Sequence, residues 1–240
     1  ADTFADELGA VWRKVGDGPY INVDGPFHGK DANIGDLENF NWPDAADPGY
    51  VRGLRERAKA LRESTDCAIV FNFPSGVVHT GQWLRGYDSW LKDLHKNRDY
   101  LCRMTDLIAD WAVGVIERSL DVVGEFIDVA QFGDDLGTQE STLFDPQFYR
   151  DLMKPRHRRI VTAIKERTDA KVLLHSCGSI SALFDDFIDI GIDVINPVQV
   201  GARHMEPDRL KKEFGDRLSF WGAIDTQRVL PYGTVDEVRA

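Results

Sequence analysis

From about residue 125 onward the chain repeats one unit: a short apolar run, a polar turn, then a stretch with apolar side chains at helical spacing. Glu125 to Gln131 reads as a strand, and a helix is expected from Pro146 to Arg167. Asp145 can cap that helix and Pro146 suits its first position. Lys171 to His175 is the next strand. Ser179 is expected to cap a helix carrying Ile180, Leu183, Phe184, Phe187 and Ile188, which Gly191 ends. A strand over Asp193 to Asn196, a helix over Pro207 to Phe214 stopped by Gly215, a strand over Leu218 to Gly222 and a helix beginning at Thr234 complete the series. Upstream, Cys67 to Phe73 reads as a strand, with helices expected over Tyr50 to Arg62, Tyr87 to His95 and Arg98 to Ser119. The first fifty residues, with Pro19, Pro26, Pro43 and Pro48, read as a short hairpin or a cover over one barrel end.

Such alternation implies parallel strands with helices packed outside them. A doubly wound sheet and a barrel both satisfy it. No Gly-x-Gly-x-x-Gly follows any strand, so the dinucleotide fingerprint is missing. Polar groups recur just past the carboxyl ends of successive strands: Asp134 and Asp135, His175 and Cys177, Gln199, and Asp225. A TIM barrel builds its active site there. The expected fold class is therefore α/β, a (β/α)8 TIM barrel of which about five to six units are visible. Residues 1–240 are expected to form a single barrel domain, incomplete at its C-terminal and N-terminal ends.

Composition narrows the function. With 29 Lys and Arg against 40 Asp and Glu, the formal net charge is -11. Such a field does not hold a polyanion, so no nucleic-acid partner is expected. The basic run Arg156-His157-Arg158-Arg159 reads as a solvated helix face. No stretch approaches the roughly 20 apolar residues of a membrane span. The opening residues lack a signal-peptide pattern. Three sparse cysteines, Cys67, Cys102 and Cys177, argue against a disulfide framework, so a reducing, cytoplasmic setting is expected.

The run KVLLHSCGSI carries the sharpest chemistry. In a strand, residues i and i+2 share a face, so His175 and Cys177 can converge on one atom. Imidazole plus thiolate suits zinc, and a catalytic zinc keeps about three protein ligands. Taken alone, His-x-Cys also occurs as ordinary packing. Cys67 and Cys102 are poor third ligands, one at a strand start and one within a helix, so the third protein ligand is expected outside this chain, past Ala240. Asp134 or Asp135 is read as a catalytic base, or a site for a substrate cation, with a carboxyl pKa raised by its neighbour's charge; a turn or cap is the alternative. Gln199 and Asp225 are read as substrate-binding. Arg85, in WLRG, is read either as a clamp for a substrate carboxylate or as stacked on Trp83. His79 and His204 read as polar loop residues.

The runs GDDLGTQESTLFDPQFYRDLMKPRHRRI, LLHSCGSI, GIDVINPVQV and FGDRLSFWGAIDTQRVLPYGT resemble the uroporphyrinogen decarboxylase superfamily, and within it the zinc-dependent, corrinoid-linked methyltransferase branch. The resemblance is strongest from Phe126 to Gly233. It implies a barrel and an enzyme in which His175 and Cys177 match the first two members of a His-x-Cys…Cys zinc set. It also implies a corrinoid as methyl donor, free or carried by a partner protein, and a small thiol as acceptor. Asp134, Gln199 and Asp225 would orient that acceptor. The decarboxylase branch uses an arginine-rich N-terminal stretch that has no match here. Two further readings stay open: a lyase acting on a porphyrinogen or related acid, and a non-catalytic member that binds a corrinoid or tetrapyrrole. The strand edges of an unclosed barrel leave room for a homo-oligomer.

Overall fold

A computed structural model describes residues 2–73 and 76–239. Three short strands come first, β1 (Thr3–Ala5), β2 (Val11–Lys14) and β3 (Tyr20–Asp24), paired antiparallel in that order. Asp6 ties the first turn, accepting from the Leu8 and Ala10 amides and from Trp12 Nε1. The short hairpin expected in this stretch is thus a three-stranded antiparallel sheet. Its Trp12 packs edge-on against Trp83, with ring centres 4.9 Å apart. Helices α1 (Ile34–Glu38) and α2 (Leu54–Ser64) lead to β4 (Val70–Asn72). Then come α3 (Val77–Arg85), α4 (Tyr87–Lys96) and the long α5 (Arg98–Val123).

From there strand and helix alternate: β5 (Val129–Gly133), α6 (Pro146–Phe148), α7 (Lys154–Lys165), β6 (Lys171–His175), α8 (Phe184–Ile190), β7 (Val194–Asn196), α9 (Pro207–Phe214) and β8 (Ser219–Phe220). Helices α10 (Val229–Tyr232) and α11 (Val235–Arg239) follow. Strands β4 to β8 form one parallel sheet in chain order. The sheet is an arc of a TIM-barrel-like α/β fold, as the strand–helix rhythm predicts.

Boundaries moved where a local group overrules the pattern. Helix α5 runs on to Val123, and the Phe126 amide donates to Val123 O, so β5 begins at Val129 and not at Glu125. The helix expected over Pro146 to Arg167 is interrupted by a π-helical turn, Tyr149–Met153. Pro155 supplies the reason: it has no N–H to give the carbonyl of Asp151, and its ring crowds that carbonyl. Ser179 does not cap a helix. Its hydroxyl donates to Arg203 O, and a 3-10 turn, Ser181–Leu183, precedes α8. Asp145 does cap, accepting from the Gln147 amide, and Gly191 ends α8 in the left-handed conformation.

The core lies between the sheet and the outer helices. Trp90, Phe132, Tyr149, Phe184 and Phe187 are fully buried, each side chain contributing about 1.5–3 kcal/mol. Two members of the basic run belong to this interior. His157 is fully buried, and Arg156 is mostly so, donating to Leu152 O and Cys102 O. Only Arg158 and Arg159 behave as a solvated face, paired with Asp189 and Asp110. Among the described residues, no helix is long and apolar enough to cross a membrane.

Candidate metal centre

Parallel pairing sets the site's position. Gly133 of β5 lies beside His175 of β6, and His175 beside Asn196 of β7. The ladder continues past the strand ends, with Asp134 N donating to His175 O and Ser176 N to Asn196 O. The residues after β5 and β6 therefore meet at the carboxyl edge of the sheet.

His175 Nδ1 lies 2.8 Å from Asn196 Oδ1. The amide of Asn196 is oriented by its other end, where Nδ2 donates to Trp221 O at 3.1 Å. An oxygen facing Nδ1 requires the proton there, which in the neutral ring puts the lone pair on Nε2. Nε2 points at Cys177 Sγ, 3.7 Å away, and at Asp135 Oδ1, 3.8 Å away. One ligand atom from each of Asp135, His175 and Cys177 lies within 4.8 Å of the others. Zinc bonds of about 2.0–2.3 Å at tetrahedral angles place donors roughly 3.3–3.6 Å apart, so the His175–Cys177 and His175–Asp135 separations fit such an ion after shifts of a few tenths of an ångström.

The two neighbouring aspartates face opposite ways, as successive residues at a strand end do. Asp135 is half-buried. Its Oδ1 accepts from the Cys177 amide (2.8 Å), and Oδ2 lies 3.5 Å from His79 Nε2. Burial opposes its charge, but the His79 hydrogen bond and the Cys177 amide outweigh that and bring the carboxyl down to about 2. The expectation of a raised pKa is thus reversed: Asp135 is surrounded by donors. The same carboxylate acts the other way on Cys177, whose thiol is pushed up to about 11 by burial and by the Asp135 charge. His79 is raised: burial works against its charge, and the Asp135 hydrogen bond with the charges of both aspartates prevails.

Asp134 is fully buried, and the structure removes it from the catalytic role read for it. Its carboxylate faces His157 Nε2 at 2.8 Å and accepts from the backbone amides of Val78 (3.1 Å) and His79 (2.8 Å). Helix α3 begins after Gly76, which has no side chain to cap it, so a carboxylate from the β5 end does so. Gly76 makes room: a Cβ there would lie 2.2 Å from Asp134 Oδ2. On its far side His157 meets the Tyr149 hydroxyl through Nδ1, 3.3 Å away.

Arg85 does not clamp a substrate, and it is not stacked on Trp83. It is buried, paired with Asp93 at 2.7 Å, donating to Phe27 O and Lys30 O, and lying over the Tyr100 ring. The apolar and carbonyl groups around it consumed the guanidinium that the sequence left open. Gln199 and Asp225 do line a cavity of about 320 Å³ that also touches Cys177, Gln139 and Gln227. Gln199 accepts from the Gly178 amide at 2.8 Å. Asp225 accepts from the Arg228 and Gln227 amides, which lower its pKa.

Sequence reasoning missed His79 and His157. His79 is a helical residue, not a loop one, stacked on Trp83 with ring centres 5.5 Å apart. His157 was legible in principle: with Ile160, Val161 and Ile164 it falls on one helical stripe, which the flanking arginines disguise.

A family profile described as Uroporphyrinogen decarboxylase (URO-D) matches residues 24–240. A methylcobamide:CoM methyltransferase, MtaA, of Methanosarcina barkeri is 22% identical over 192 residues, 79% of this chain and 53% of the relative. The corresponding protein of the Fusaro strain matches equally. The chain thus spans about half the length of the curated relatives it matches. A solved structure, a methyltransferase from Methanosarcina mazei, superposes with a TM-score of 0.65 at 18% identity, covering 96% of this chain and 64% of that one. At that identity the superposition speaks to the fold.

Proposed function

The chain belongs to the uroporphyrinogen decarboxylase family, and from that premise we propose that it is a zinc-dependent methyltransferase, moving a methyl group from a corrinoid to a small thiol. The observation that carries this reading is the pair of donors after β6, His175 Nε2 with its lone pair exposed and Cys177 Sγ 3.7 Å away. The relatives named for methyl transfer from methylcobamide to CoM support it.

Bound zinc would lower the pKa of an acceptor thiol, so that a thiolate exists near neutral pH. His175 presents Nε2 because Asn196 fixes its tautomer. Cys177 gives up its thiol proton on ligation. The cavity beside Cys177 receives the acceptor, with Gln139, Gln227 and the Asp225 carboxylate lining its path. In the transfer, the acceptor's sulfur–carbon bond forms as the cobalt–carbon bond of the donor breaks, the bonding pair staying with cobalt. The donor is a methylcorrinoid, free or protein-borne. The described residues lining that cavity offer amides, a hydroxyl, the Cys177 thiol, apolar groups and a carboxylate, with no arginine among them. That lining does not suit a porphyrinogen bearing many carboxylates, which calls for arginines, and it favours methyl transfer over decarboxylation.

Metal analysis of purified protein tests the reading. Wild type is expected to hold about one zinc per chain, and His175→Ala and Cys177→Ala each to lose it. Both variants should also lose methyl transfer from methylcobalamin to CoM. Unchanged zinc content in both variants would sink the proposal.

A further inference from the structure

Resting on that metal centre, we propose that Asp135 is a third protein ligand, so that this chain itself supplies one imidazole nitrogen, one thiolate and one carboxylate oxygen. This departs from the expectation that the remaining ligand lies outside the chain.

Three observations carry the assignment. The first is convergence. Asp135 leaves β5 one residue beyond Asp134, whose amide bonds His175 O, so register alone delivers its side chain to the face that His175 and Cys177 occupy. Its Oδ1 stands 3.8 Å from His175 Nε2, and all three ligand atoms lie within 4.8 Å. The second is orientation. The Cys177 amide donates to Oδ1 at 2.8 Å, and His79 Nε2, which accepts from the Asp135 amide at 3.4 Å, lies 3.5 Å from Oδ2, so both the backbone and the carboxylate of Asp135 have partners before any ion arrives. A carboxylate oxygen has two lone pairs, so Oδ1 can accept the Cys177 amide and still ligate. Trp83 in turn holds His79 by stacking, in the way outer partners orient metal ligands. The third is charge. Asp135 makes ion pairs with two imidazoles, those of His79 and His175. A half-buried carboxylate beside a half-buried sulfur is repelled by a thiolate, and a divalent cation between them satisfies both.

The donor set also has a chemical consequence. Imidazole, thiolate and carboxylate together suit zinc, and three such donors leave one position of a tetrahedral shell to a further ligand.

Cobalt(II) titration separates this inference from the reading beneath it. Wild type, Asp135→Asn, Asp135→Ala, His175→Ala and Cys177→Ala are each titrated with cobalt(II), and zinc affinity is measured by competition with a chromophoric chelator. Circular dichroism confirms that each is folded, and the isosteric Asn variant guards against a packing defect in the Ala one. Both Asp135 variants are expected to bind at least tenfold more weakly and to shift the visible cobalt bands, while keeping the thiolate-to-cobalt charge-transfer band. Cys177→Ala is expected to lose that band. Wild-type affinity and spectrum in both Asp135 variants, with metal lost in His175→Ala and Cys177→Ala, would overturn the Asp135 assignment alone. No cobalt bound by wild type, or unaltered binding in the His175 and Cys177 variants, would overturn the centre and this inference with it.

Discussion

Asp134→Ala is expected to destabilise the fold by about 3–5 kcal/mol, through three donors, two of them buried, that lose their acceptor together. The Val78 and His79 amides and the His157 ring all converge on this carboxylate, and Val78, His157 and Asp134 are buried, so the Val78 amide and the His157 ring have no water to turn to. The removed side chain also leaves a gap opposite Gly76. Asp134→Asn keeps an acceptor oxygen and nearly the same volume, so it should cost clearly less. Urea denaturation of wild type and both variants measures the effect. If the alanine variant were as stable as the asparagine one, the carboxylate would not be the hub that its contacts describe. His79 gives a second readout. Once the start of α3 loosens, the ring behind Asp135 is no longer fixed, so zinc affinity should fall together with stability.

Gly178→Ala is the other large effect. Gly178 has φ of 87°, a left-handed conformation costing a residue with a Cβ about 1–2 kcal/mol. An added methyl would lie 2.4 Å from Gly137 C, 2.6 Å from Gly137 O and 2.7 Å from Thr138 O, all backbone atoms that cannot swing aside. Forced separation of the two loops adds about 1–3 kcal/mol or more. A total loss of about 3 kcal/mol is therefore expected, and Cys177, the preceding residue, moves with the loop. Zinc affinity should fall roughly ten- to a hundredfold, the range for lost support of a ligand. Gly29→Ala is the control: its φ is 65° and nothing lies within 4 Å of the added carbon. There the conformational cost is partly offset by a stiffer unfolded chain, and the loss should stay near 1 kcal/mol. Equal losses in the two variants would show that backbone contact between the loops contributes nothing.

These two positions also show what a sequence can reveal. The order of strands and helices was legible because punctuation and periodicity agreed: Asp145-Pro146 opens a helix, Gly191 and Gly215 follow helix ends, and apolar runs lie between. His175 and Cys177 were legible because their spacing of two suits a strand end, and their side chains do meet. The partition of Asp134 from Asp135 was not. Adjacent carboxylates look alike in a string of letters, and only the elements packed on either side give one to the interior and the other to the cleft. Arg85 was misread for a related reason. Its partner Asp93 is near in sequence, but Phe27 O and Lys30 O come from a segment more than fifty residues away. The π-helical turn before Pro155 escaped because a helical pattern on both sides hid the missing N–H.

The strands β4 to β8 stand side by side in the order in which the chain is made. Among the described residues, each strand after β4 therefore pairs with a neighbour already synthesised. The three converging side chains sit on consecutive strand ends, so Asp135 is in place before the ribosome delivers His175 and Cys177. Asn196, which sets the imidazole's tautomer, arrives one unit later. Among the described residues, the parts of the centre thus come together as successive neighbours in the chain, and the strand that docks next sets the imidazole's tautomer.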